Sequence, residues 1–131
     1  KVVEGTIYEQ YVADGSKGGR HNYAVAVDAT IADAKGMALD MGAPFDGFNR
    51  ASHVKGGSDN DISTRTMANY RTFANTLVAE GLITQKAAEN RLLLIEVMME
   101  VGLLPYRCEW WHFEEPMTMS QTREKYRLLD F

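Results

Sequence analysis

Small and β-branched side chains alternate over residues 24–31, Ala-Val-Ala-Val-Asp-Ala-Thr-Ile, which predicts a short strand with Val25, Val27 and Ile31 on one face. Further along the period changes. Tyr70, Phe73, Ala74, Leu77 and Val78 recur at three- and four-residue spacing, predicting a helix over residues 62–79, and Gly81 stands where a glycine cap belongs. A second helix follows from an N-cap at Thr84. Ala88, Leu92, Ile95 and Met99 form its apolar stripe, it runs through Glu100, and Gly102 stops it. The short Leu82-Ile83 link makes the pair a helical hairpin. Residues 106–113, Tyr-Arg-Cys-Glu-Trp-Trp-His-Phe, lie between Pro105 and Pro116 and predict a second core strand, with Trp110 and Trp111 on opposite faces. Residues 2–12 are a third strand candidate, and the tail beyond Pro116 has no clear period.

Two turn-rich stretches interrupt this pattern. Residues 14–19 carry three glycines, and residues 36–61 gather Gly36, Gly42, Pro44, Gly47, Gly56 and Gly57 among Asp, Asn and Ser. Both predict irregular surface structure of the kind that carries function. Strands towards both ends with a helix pair between them predict an α+β domain, helices packed on one face of a small antiparallel sheet. No repeat or linker divides the 131 residues, so the chain reads as one domain.

Composition narrows the function classes. Fourteen Lys and Arg against 18 Asp and Glu give a net charge of −4, which argues against a nucleic-acid partner. The sequence contains no run of apolar residues long enough for a membrane span. Cys108, the only cysteine, forms no internal disulfide and builds no cysteine-rich zinc site; a small buried role suits it. The first residues lack the order of a signal peptide, and a chain starting at Lys1 rather than Met reads as a mature or excised segment. Cytoplasm, periplasm and secretion all stay open, as does the oligomeric state.

Two of the three histidines stand near carboxylates. His21 precedes Asp28 in H-x6-D, and Glu109 precedes His112 in E-x-x-H. A catalytic zinc site takes two imidazoles, a carboxylate and a water, with a further carboxylate that removes a proton from that water. His21, His112, Asp28 and Glu109 fill those roles. Strand alternation sets a condition on this reading: residues seven or three apart point to opposite faces of a straight strand. His21 must therefore lie in the glycine-rich loop, and the second strand must bulge or end near Trp110-Trp111. The alternative reading is a hydrogen-bonded core histidine. Asp28, in the middle of an apolar run, is costly to bury unless paired or bound to metal.

Residues 19–28, Gly-Arg-His-Asn-Tyr-Ala-Val-Ala-Val-Asp, followed by Glu109-Trp110-Trp111-His112-Phe113, resemble the paired signature S-x-H-x-x-G-x-A-x-D … E-x-W-H of the D-alanyl-D-alanine dipeptidases. These zinc peptidases are related to D,D-carboxypeptidases, phage endolysin peptidases and the zinc domain of hedgehog proteins. Residues 39–46 (Leu-Asp-Met-Gly-Ala-Pro-Phe-Asp), Ser52-His53 and Asn90-Arg91-Leu92 resemble further family segments in the same order. The resemblance covers about residues 15–113.

The resemblance implies one zinc ion held by His21, Asp28 and His112 at the sheet, with Glu109 as general base and acid. It implies that Asp46 receives the free ammonium of a small D-Ala-D-Ala-like peptide; read alone, Asp46 is equally a loop-capping carboxylate. His53 reads as a backbone-bonded loop residue and Arg91 as a helix residue paired with a carboxylate. Two positions depart from the pattern: the family serine is Gly19, and the glycine at the strand entry is Ala24. The family's oxyanion arginine belongs to an upstream segment, expected here from another part of the protein or a separate chain; Arg20 is a partial local substitute for substrate contact, with a solvated loop arginine as the favoured alternative reading. The implied activity is a zinc dipeptidase. A D,D-carboxypeptidase or endolysin-type peptidoglycan peptidase, a zinc-binding domain without catalysis, and a metal-free structural domain are the alternatives.

Overall fold

A computed structural model describes residues 18–129; the strand candidate at residues 2–12 lies outside them. Three short strands, β1 (Ala26–Asp28), β2 (Leu104–Pro105) and β3 (His112–Glu114), form an antiparallel sheet in the order β1-β3-β2. Among the described residues three α-helices accompany them: α1 (Met67–Ala79), α2 (Gln85–Glu100) and α3 (Met119–Lys125). The class is α+β, as the pattern of elements predicts.

The first predicted strand shrinks from eight residues to three. A 3-10 turn, Arg20–Tyr23, ends at Ala24 in the left-handed conformation (φ 55°), and the Val25 N–H bonds back to the Arg20 carbonyl. Val25 therefore belongs to the turn and is buried, whereas Val27 on the edge strand is exposed. The two valines do not share a face.

The aromatic segment differs more. Only its last two residues join β3; Tyr106 to Trp111 fold into consecutive turns in which Glu109 N–H donates to the Tyr106 carbonyl and His112 N–H to the Glu109 carbonyl. Both tryptophans are buried instead of taking opposite strand faces. Their rings meet edge to face at 5.4 Å, Trp110 Nε1 donates to the Ala43 carbonyl at 3.1 Å, and Phe45 stacks on Trp111 at 5.3 Å.

The hairpin forms as the periodicity requires. Thr84 caps α2 by accepting from Ala87 N–H. The first helix starts later than predicted, because Thr66 caps at Met67 by accepting from Asn69 N–H while Ile62–Thr64 winds as a 3-10 turn under an Asp61 cap. At its other end Gly81 (φ 70°) lets Leu82 N–H reach the Leu77 carbonyl, closing the helix with a reverse turn. Ala74, Leu77, Ile83, Ala87 and Ala88 pack between the helices. The main core gathers Met41, Val54, Tyr70, Leu94, Ile95, Trp110, Trp111 and Phe113.

Residues 36–61 are irregular, as predicted, but not confined to the surface. Met41, Ser52, Val54 and Lys55 are buried, and Arg91 is one of the residues that tie the loop in place. From α2 its guanidinium donates to the carbonyls of Met41 and His53, and Asn90 Nδ2 donates to that of Asp40. Arg91 thus bonds to backbone carbonyls with the Asp40 carboxylate nearby, and burial, opposed by Asp40, pulls its pKa down to about 10. An Arg91→Met variant, which leaves buried carbonyls unpaired, is expected to lose about 2–4 kcal/mol of stability in a urea titration.

The tail beyond Pro116 holds an unpredicted helix. Its signal was a capping box: Thr118 accepts from Gln121 N–H and Gln121 returns the bond to Thr118 N–H. Among the described residues no helix is long and apolar enough to cross a membrane.

Candidate metal centre and active site

His21, Asp28 and His112 arrive at one point from three local structures. The 3-10 turn lifts His21 out of the strand path, which removes the alternation conflict, and Asn22 Oδ1 pins the turn by accepting from Gly19 N–H at 2.9 Å. Asp28 ends β1 and His112 begins β3 directly opposite it, so both side chains project from the same face. The turns between Tyr106 and Trp111 then bring Glu109 to the side of His112, meeting the second geometric condition.

The ligand atoms form a nearly equilateral triangle. His21 Nε2 lies 3.0 Å from His112 Nδ1 and 3.4 Å from Asp28 Oδ1, and His112 Nδ1 lies 3.3 Å from the same oxygen. Zinc bonds of about 2.0–2.1 Å in a tetrahedron place neighbouring ligand atoms about 3.3 Å apart, so the donor set fits a zinc ion in both chemistry and size. The His21 and Asp28 side chains are 48% and 37% exposed, leaving one side open. This corrects one expectation: Asp28 does not sit buried in a core strand, because among the described residues β1 is an edge strand and Asp28 is its last residue.

Glu109 stands beside the triangle, with Oε2 3.7 Å from His112 Nδ1. Burial pushes its carboxyl up to about 7; His112 opposes the rise, and the charges of Asp28, Asp46 and Glu114 add to it. Asp46, exposed on its loop with φ 56°, is thus near enough to act on Glu109 but is not one of the grouped ligands. Arg20 goes elsewhere. Its Nε contacts Glu114 Oε2 at 2.7 Å, one terminal nitrogen donates to the Met117 carbonyl at 2.6 Å, and the other is buried with no hydrogen-bond partner among the described residues.

Glu114 was missed in the sequence. It is buried, its Oε2 lies 3.2 Å from His112 Nε2, and Arg65 approaches its other oxygen at 3.5 Å. The available signal was a carboxylate two positions after His112, on the same strand face. Cys108 is fully buried, and burial raises its thiol pKa, consistent with an unreactive packing role.

The family model for D-ala-D-ala dipeptidase, peptidase M15, matches residues 56–127, a window that contains Glu109 and His112 and excludes His21 and Asp28. Over 111 residues, 85% of this chain, the sequence is 33% identical to a D-alanyl-D-alanine dipeptidase of Escherichia coli, covering 45% of that protein. Over 96 residues, 72% of this chain, it is 27% identical to a D-alanyl-D-alanine dipeptidase of Synechocystis, covering 33% of it. The chain thus spans less than half the length of these relatives. No solved structure matches. With more than half of its residues under the family model, and the paired motifs folded onto one face of the sheet, the chain belongs to the peptidase M15 family of D-ala-D-ala dipeptidases.

Proposed function

We propose that the protein is a zinc-dependent dipeptidase that hydrolyses D-Ala-D-Ala or a closely related cell-wall dipeptide. The observation that carries this reading is the convergence of His21 Nε2, Asp28 Oδ1 and His112 Nδ1 in a zinc-sized triangle with the buried Glu109 carboxyl alongside. The names of the relatives supply the substrate class.

His21, Asp28 and His112 hold the ion. When bound, zinc supplies a Lewis acid for the peptide carbonyl and lowers the pKa of water. Glu109 takes the proton of the attacking water and passes it to the leaving amine; burial raises its carboxyl above the usual range, which favours both transfers. Asp46, exposed on the Glu109 side, receives the substrate ammonium. Arg20 is committed to Glu114 and the Met117 carbonyl, so the reading drops it from the substrate contacts. The oxyanion donor is assigned to an arginine of an upstream segment or a separate chain, as the family resemblance implies.

Release of free D-Ala from D-Ala-D-Ala is the test. Activity that disappears with a chelator and returns with zinc is the expected result. Cleavage of pentapeptide stems alone would move the assignment to a D,D-carboxypeptidase, and zinc bound without turnover would move it to a non-catalytic zinc domain.

A further inference from the structure

We propose that Glu114 is a positioning residue for the metal centre, a carboxylate clamped by two arginines that fixes the orientation and tautomer of His112. The inference rests on the zinc reading above. His112 faces the triangle with Nδ1, while its other nitrogen, Nε2, lies 3.2 Å from Glu114 Oε2. An ionised carboxylate only accepts hydrogen bonds, so Nε2 carries the hydrogen and Nδ1 keeps a lone pair directed at His21 and Asp28. A neutral imidazole with that lone pair is the form a metal binds.

The clamp explains why Glu114 stays in place. Arg20 Nε meets the same Oε2 at 2.7 Å, and an Arg65 terminal nitrogen lies 3.5 Å from Oε1. Each arginine is tied to the backbone: Arg65 donates to the Pro105 carbonyl on β2 at 2.8 Å, and Arg20 to the Met117 carbonyl beyond β3 at 2.6 Å. The Glu114 carboxylate is thereby anchored both to β2 and to the segment that follows β3. Tyr106 closes the arrangement with its ring edge-on to that of His112 at 5.8 Å. Two guanidinium groups and a carboxylate are an expensive way to stabilise a three-stranded sheet, since apolar side chains of similar volume serve as well. Their arrangement behind a ligand histidine instead matches the outer partners that orient metal ligands, whose loss costs about 10–100-fold in metal affinity.

The test is zinc affinity, measured by competition with a chromophoric chelator on the natural protein, on Glu114→Gln, on His112→Ala and on the double variant. Glu114→Gln is expected to weaken zinc binding about 10–100-fold in the parent and to add little once His112 is already alanine, because Glu114 acts through that ring. Affinity within twofold of the parent, or an equal loss in both backgrounds, overturns the proposal. Should Glu114→Gln fail to fold, Glu114→Asp keeps the charge for the arginines while withdrawing it from Nε2. The same loss is expected, and unchanged affinity overturns the proposal. A parent that binds no zinc contradicts the zinc reading itself, an outcome distinct from either result for the variants.

Discussion

A Glu109→Gln variant is expected to hydrolyse D-Ala-D-Ala about a hundredfold to ten-thousandfold more slowly than the parent, the usual contribution of a positioned acid–base group, while still binding zinc. The amide fills the space of the carboxyl but takes no proton. The pH profile gives an independent check. Burial and the neighbouring carboxylates Asp28, Asp46 and Glu114 push Glu109 up to about 7, so the fraction able to act as base shrinks as pH falls through that value. A dication at the triangle stabilises the carboxylate and moves this limb to lower pH. The acid limb of kcat/KM is therefore expected at or below pH about 7, and it should vanish from whatever residual rate Glu109→Gln retains. Full activity in this variant would remove Glu109 from the chemistry.

His112→Ala is expected to weaken zinc binding steeply, to an affinity still measurable by chelator competition, and bring hydrolysis to background. Removing an outer hydrogen-bonding partner of a ligand costs about 10–100-fold in metal affinity, and loss of the ligand itself should exceed about a hundredfold. Asp28→Asn should act in the same direction with little effect on folding. Its side chain is 37% exposed at the end of β1, where surface substitutions typically change stability by within about 0.5 kcal/mol. Comparing metal content with a urea titration of Asp28→Asn thus separates a lost ligand from a lost fold. Parent-like zinc binding and activity in both variants would contradict the assigned donor set.

The helical hairpin was legible in the sequence because its signals are local: Thr84 and Gly81 act on their own turns, and the stripes of α1 and α2 record the face each buries. The sheet was less legible. Its strands are two or three residues long, too short for a period, and what sets their ends is the left-handed Ala24 and the pair of turns through Tyr106 and Glu109. The candidate ligands could be named from residue type and spacing, whereas their meeting depends on the pairing of Asp28 with His112, a contact across 84 residues that no local pattern encodes. The partners of Arg20 and Arg91 were hidden for a related reason. An arginine in sequence is a free cation, and only the fold shows that one is spent on Glu114 and the other on the carbonyls of a loop. Glu114 escaped notice because its role is defined by what stands around it.

The central claim is that His21, Asp28 and His112 share one zinc ion. Anomalous diffraction at the zinc edge from crystals of the natural protein tests it directly. The account predicts a single strong peak about 2.0–2.2 Å from His21 Nε2, His112 Nδ1 and an Asp28 carboxylate oxygen, with Glu109 close by but not bonded. A crystal grown with zinc that shows no peak there, or one held by other residues, would contradict it.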